Sequence, residues 1–230
     1  MPNKTEEIIV ISLGGSLIVP DAIDTEFLKD FKKVILSEIE KGKKFIIITG
    51  GGKICRRYQE AAKEVSTSSN YDLDLIGITA LRINAELLRV IFSEQAHGEV
   101  VSNMTGELSF EKPIIIGSAY KPGSSTDLGA ILAAKLVGAK KVINLSNTDY
   151  VYDSDPKVNP EAKKFEKISW ADYRALIPKE WNAGLNSPFD PVASELAEKE
   201  NISVVIMNGK PIENFAKCLS GENFMGTIIS

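Results

Sequence analysis

Phe45-Ile46-Ile47-Ile48-Thr49-Gly50-Gly51-Gly52-Lys53-Ile54-Cys55-Arg56-Arg57-Tyr58 decides the fold. The first five residues are β-branched or aromatic and carry no charge, the pattern of a strand buried on both faces. After the glycines the chain regains helical character, so Gly50, Gly51 and Gly52 form a strand-to-helix turn. Without Cβ atoms the backbone can pass close to a ligand, and the N–H groups and positive dipole end of the following helix attract an anion. Arg56, one turn into that helix, adds a forked donor suited to phosphate. Backbone geometry alone would account for one glycine. Three in a row beside Lys53, Arg56 and Arg57 read as an anion site.

Upstream, Ile8-Ile9-Val10-Ile11-Ser12-Leu13 is a second β-branched run, and it too ends in a glycine turn, Gly14-Gly15-Ser16. Between the two strands, Phe27, Leu28, Phe31, Val34, Ile35 and Ile39 recur at helical spacing from about Thr25 to Lys41, with Gly42 as the stop. The resulting β-α-β unit has parallel strands and brings both glycine turns to the same carboxyl edge, where open α/β sheets bind ligands.

Downstream, Ser66-Thr67-Ser68-Ser69-Asn70 reads as a loop and Asp72 to His97 as a helix whose apolar residues exceed a single stripe. Such a helix needs two covers: its own sheet, and a neighbouring subunit or an added element, which points to a homo-oligomer. Arg82, Asn84 and Glu86 stand out as its polar residues. Pro113 to Gly117 is a strand leading into Tyr120-Lys121-Pro122-Gly123-Ser124-Ser125-Thr126-Asp127, after which a helix resumes. Hydroxyls and an acid there are N-cap chemistry, and the same groups suit a substrate. After the strand Lys141 to Leu145, the loop Ser146 to Pro156 mixes acids, aromatics and amides, suited to a base and ribose, although a β-turn also explains Asp155-Pro156. A short helix spans Trp170 to Leu176. Asp190-Pro191 opens a further helix as cap and first residue, and Ser203 to Met207, Pro211 to Leu219 and Gly226 to Ile229 complete the alternation. The expectation is one doubly wound α/β domain over residues 1–230, with a mostly parallel central sheet between helices.

Composition narrows the function. The chain has 230 residues, 27 Lys plus Arg against 31 Asp plus Glu, and a formal charge of −4, so no basic field invites nucleic acid or an anionic membrane. The apolar run Ile8 to Val19 is broken by glycines and preceded by Glu6 and Glu7, unlike a signal peptide or a membrane span. Cys55 and Cys218 belong to no metal-spaced pair, so no protein metal site is expected and a reducing cytoplasm fits. The glycines match neither the Walker nor the dinucleotide-binding pattern. His97, the one histidine, precedes Gly98 at a helix end, so histidine-based chemistry is not expected.

Taken in order, Leu13-Gly14-Gly15-Ser16, Gly50-Gly51-Gly52-Lys53 with Arg56 and Tyr58, Asp74 with Ile76-Gly77-Ile78 and Arg82-Ile83-Asn84-Ala85, Pro122-Gly123 with Thr126-Asp127, and Asn147-x-Asp149-x-x-Tyr152-x-x-Asp155-Pro156 resemble the amino-acid kinase superfamily. Within it the resemblance is to uridylate (UMP) kinases of archaeal type. It covers nearly the whole chain. Isopentenyl phosphate kinases typically carry a histidine shortly after the triple glycine, which this chain lacks. The resemblance implies a three-layer α/β/α fold, transfer of a phosphoryl group from ATP with Mg²⁺ to UMP, and a homohexamer built as a trimer of dimers. By the same token Gly14, Gly15, Ser16, Gly52 and Arg56 would hold the ATP phosphates, and Ser146, Asn147, Tyr152 and Asp155 its adenosine. Gly51, Asp74 and the loop Tyr120, Lys121, Pro122, Gly123, Ser124, Ser125 and Thr126 would hold UMP, with Asp74 on the ribose. Asp190 aligns with an acid that orients the transferring groups. Two positions depart from the pattern. Ser12 stands where many members carry Lys, a charge that Lys53 or Lys121 would have to supply, and Tyr150 replaces a glycine beside the ATP site. These departures leave room for a nucleotide-binding or storage protein without turnover, or for a kinase acting on another phosphate or carboxylate.

Overall fold

A computed structural model describes residues 7–119, 121–179 and 187–230. The decisive runs become the strands β1 (Ile8–Leu13), β2 (Lys44–Thr49), β3 (Ile114–Gly117) and β4 (Lys141–Ser146), with a later strand at Ser203–Asn208. Apart from their ends these strands are buried, as continuous apolar runs require when helices cover both faces.

Helix α1 is a single turn, Gly15–Ile18, and α2 (Thr25–Glu40) fills the first crossover. The long apolar helix α4 (Asn70–Ile91) follows α3 (Gly52–Val65). It ends six residues before the His97 expected from periodicity, because the backbone turns there to pair with β3: His97 N donates to the Ile114 carbonyl at 2.8 Å. Next come α5 (Thr126–Val137), a hairpin of β5 (Val151–Tyr152) and β6 (Lys164–Phe165), and β7 (Lys167–Ile168). The chain closes with α6 (Trp170–Leu176), α7 (Pro191–Lys199), β8 (Ser203–Asn208), α8 (Ile212–Ser220) and β9 (Thr227–Ile229).

The seven-stranded sheet has the order β3-β2-β1-β4-β8-β9-β7 and is parallel except where β9 runs against β8. From β1 the chain goes to β2 and β3 on one side, then returns past β1 to β4 and β8 on the other. The order therefore reverses between β1 and β4, and the crevice beyond their carboxyl ends is the binding position of such sheets. One face is covered by α2, α8 and part of α4, where Phe31 stacks on Phe27 and Phe215 at 5.8 Å centroid separations and meets Phe92 edge-on. The other is covered by α5, α6 and α7 through Ala130, Ile131, Ala134, Trp170, Tyr173, Ala193 and Ala197. The architecture is the expected α/β/α sandwich. No helix among the described residues is long and apolar enough to cross a membrane.

Candidate functional site

The two glycine turns meet at the carboxyl edge. A Cβ built on Gly15 would lie 2.0 Å from Gly52 N and 2.6 Å from the Gly50 carbonyl, so the turns touch backbone to backbone and no side chain fits between them. The first turn is anchored to β4 by Gly14 N donating to the Leu145 carbonyl at 2.7 Å, and the second to β1 by Gly50 N donating to the Leu13 carbonyl at 2.8 Å. Gly52 opens α3 with φ +66°, a left-handed conformation natural to glycine.

The triple-glycine turn and Ser16 of the first turn form one wall of a cavity of about 590 Å³, within the size range of small-molecule sites. A second hollow, about 400 Å³, lies at the opposite, amino edge of β4 and β8 around Lys140, Trp170 and Ser203. The larger cavity is the one the topology favours. Of the residues singled out from the sequence, Ser16, Gly51, Gly52, Arg56, Asp74, Lys121, Pro122, Gly123, Ser124, Ser125, Thr126 and Asn147 line it. Cys55, Gln59, Gly77, Ile78 and Leu81 complete the walls on α3 and α4, and sequence reasoning did not select them as site residues. Burial pushes the Cys55 thiol up from its ordinary value, with the Asp74 charge adding to the shift and Arg56 opposing it, so Cys55 is a neutral wall and no thiolate nucleophile.

Asp74 is not a helix cap. Ser69 caps α4, its hydroxyl accepting from Asp72 N at 3.1 Å while the Asp72 carboxylate reaches back to the Ser69 backbone. Asp74, past the cap, reaches across the cavity, and its Oδ2 accepts from Gly123 N at 2.9 Å. The carboxylate thereby ties the Lys121–Thr126 loop to α4.

Other expected residues lie elsewhere. The Lys53 ammonium is paired with Asp21 at 2.5 Å, with Arg57 on the same carboxylate at 3.5 Å, and Lys53 does not line the cavity. Gly14 and Gly15 form the turn from β1 into α1 and Ser146 ends β4; none of the three lines the cavity, and the Ser146 hydroxyl accepts from Thr148 N at 3.2 Å. Tyr152 lies in β5 with its ring edge-on to Tyr150, over which the Lys164 ammonium sits 4.4 Å from the ring centre. Asp155 folds its own loop, accepting from Lys157 N at 2.9 Å, which is the turn reading of that residue. Tyr120, and residues 180–186 of the irregular segment, fall outside the described residues. His97 meets the backbone of Glu99.

Behind the cavity lies Asp127, which the sequence offered as cap chemistry or as part of a substrate site; the cap of α5 is Ser125, which accepts from Leu128 N at 3.1 Å. Asp127 Oδ1 accepts from Ser12 Oγ at 2.9 Å and from Asn144 Nδ2 at 3.0 Å, and its Oδ2 accepts from Asp190 N at 3.1 Å. Ser12 and Asn144 are register partners on β1 and β4, so the switch point itself supplies both donors. The signal available in the sequence was a polar residue inside each apolar strand. The residue as a whole keeps some exposure, but its carboxyl is deeply enclosed, and that desolvation pushes its pKa up to about 7 against the pull of the donors, with the nearby Asp190 charge adding a smaller push. Asp190 caps α7 as expected, accepting from Ala193 N at 2.7 Å, with Pro191 at the first helical position. Burial raises its pKa too, and its Oδ2 has no hydrogen-bond partner among the described residues.

The model of the amino acid kinase family matches residues 7–208. Uridylate kinase of Staphylothermus marinus is 35% identical over 223 residues, 96% of this chain and 97% of that protein. Uridylate kinase of Archaeoglobus fulgidus is 32% identical over 225 residues, covering 96% and 99%. The crystal structure of the Archaeoglobus enzyme superposes with a TM-score of 0.80 over 97% of this chain and 100% of that one. The UMP kinase of Ureaplasma parvum, 26% identical, superposes with a TM-score of 0.78 over 98% and 99%.

Proposed function

The chain belongs to the amino acid kinase family, and from that premise we propose that it is an ATP-dependent uridylate kinase, moving the γ-phosphoryl group of ATP to UMP to give UDP and ADP. The observation that carries this reading is the convergence of both glycine turns, Arg56, Asp74 and the Lys121–Thr126 loop on one cavity at the sheet's switch point. An oxygen of the UMP phosphate attacks the γ-phosphorus while the bond to the ADP oxygen breaks. Phosphoryl transfer of this kind needs alignment and charge neutralisation more than covalent chemistry.

In this reading Gly14, Gly15, Ser16, Gly52 and Arg56 bind the ATP phosphates, and Ser146, Asn147, Tyr152 and Asp155 bind its adenosine. Gly51, Asp74 and residues 120–126 bind UMP. The cation that Ser12 does not provide is assigned to Lys121, which lines the cavity where Lys53 does not. Among the described residues no cluster of three or more His, Cys, Asp or Glu is placed to hold a metal. Mg²⁺ would enter as a companion of ATP, and Asp190, whose Oδ2 has no hydrogen-bond partner among the described residues, would be the carboxylate to hold it. Bound there, it would supply charge neutralisation for the transferring phosphoryl group. The chain acts as one domain, assembles through α4 into a homo-oligomer of hexameric type, and works in the cytoplasm.

ADP release measured in a coupled assay with UMP, CMP, acetylglutamate, aspartate or isopentenyl phosphate tests the proposal. Turnover is expected to be fastest with UMP. Faster turnover with another acceptor would reassign the substrate, and nucleotide binding without any ADP release would make the protein a binding or storage protein.

A further inference from the structure

We propose that Asn84 is a positioning residue that presets the phosphate-facing geometry of the triple-glycine turn from behind the cavity. Asn84 is 3% exposed on the buried face of α4, among Leu73, Gly77, Ala80, Ala85 and Leu88. A carboxamide on such a face is costly unless it is bonded. Its Nδ2 donates to the Gly50 carbonyl at 2.8 Å and to the Gly51 carbonyl at 3.2 Å, and an amide nitrogen is suited to this because it carries two hydrogens.

A trans peptide holds its N–H opposite its C=O in one plane. The Gly50 carbonyl shares a plane with Gly51 N–H, and the Gly51 carbonyl with Gly52 N–H. By holding both carbonyls, Asn84 turns two successive N–H groups to the side away from itself. All three glycines line the cavity and Asn84 does not. Gly51 is right-handed helical, with φ −79° and ψ −25°, and Gly52 has φ +66°. A right-handed residue followed by a left-handed one is the backbone arrangement that forms an anion-binding nest. Asn84 thus acts on the phosphate through the turn without touching it. The identity of the ligand as a phosphate chain rests on the kinase reading above.

Asn214 provides a matched control remote from the site. It is 6% exposed and makes two comparable bonds to the Met225 backbone, at 2.7 and 2.8 Å. In the full-length chain, Asn84→Ala and Asn214→Ala are both expected to lower Tm. Asn84→Ala alone is expected to weaken ADP binding by calorimetry, and to raise the ATP KM, by about tenfold, the order expected when orienting hydrogen bonds are lost. An Asn84→Ala protein that loses stability as Asn214→Ala does but binds ADP like wild type overturns the inference. Should Asn84→Ala fail to fold, Asn84→Ser retains one donor in a smaller volume and is expected to show the same loss at reduced size, and an unchanged ADP Kd in that variant overturns the inference equally. Wild-type protein that binds no ADP overturns the kinase reading together with it, whereas wild-type binding with an unaffected variant overturns the inference alone.

Discussion

Ser12 and Asn144 donate to the same carboxylate oxygen from neighbouring strands, and the enclosure of that carboxyl makes Asp127 titrate near neutrality. Burial favours the neutral acid and the donors favour the carboxylate, so removing a donor has a definite sign. Ser12→Ala is expected to let Asp127 hold its proton to higher pH, moving the corresponding inflection of the kcat/KM profile upward, and a profile superimposable on wild type from about pH 5 to 9 would sever Asp127 from the reaction. The stability linkage has the matching sign: the folded pKa lies above the ordinary 3.8, so this group's contribution is fully present below pH 3.8 and is lost as pH rises through about 7. Asp74 offers a separate test. Since Ser69 caps α4, Asp74→Asn should leave Tm nearly unchanged while raising the UMP KM about tenfold, from loss of a charge-assisted contact, with the ATP KM unmoved. Wild-type UMP kinetics in that variant would confine Asp74 to tethering the loop.

Helix α4 does two jobs with two faces. Its inner face carries Asn84, and its outer face shows Tyr71, Leu75, Ile83 and Val90 at 62, 42, 57 and 59% exposure. Steps of four, eight and seven residues put these on one side of the helix. A stripe of this kind left to water is unusual for a lone protein and normal for a subunit contact. Ile83→Glu is expected to reduce the mass by light scattering to the 25.1 kDa of a single chain without loss of helical circular dichroism. Wild-type protein that already scatters as a monomer at micromolar concentration would end the proposal that α4 is an interface.

At the scale of the molecule, the four long parallel strands were readable because burial on both faces leaves an unbroken apolar run. The hairpin β5–β6 was not, since two residues per strand carry no period, and α4 was drawn too long because its apolar pattern continues into the turn that pairs with β3. The glycine turns and the Lys121–Thr126 loop were legible as local chemistry. The Asp127 cluster was not, because its donors stand 115, 17 and 63 residues away and meet only through strand register and the start of α7. Neighbours in sequence also misled: Lys53 adjoins the turn, yet Asp21 from the preceding loop claims its charge. The contact of Gly15 with Gly52 has a further consequence, for heredity. Any first- or second-base change in a glycine codon adds a side chain or stops translation, and at position 15 the smallest side chain meets backbone that cannot step aside. Gly15 therefore has no tolerated amino-acid replacement one nucleotide away. In a saturation library selected for phosphoryl transfer, position 15 should retain only synonymous codons, while Gly98, with nothing within 4 Å and no left-handed backbone, should admit alanine.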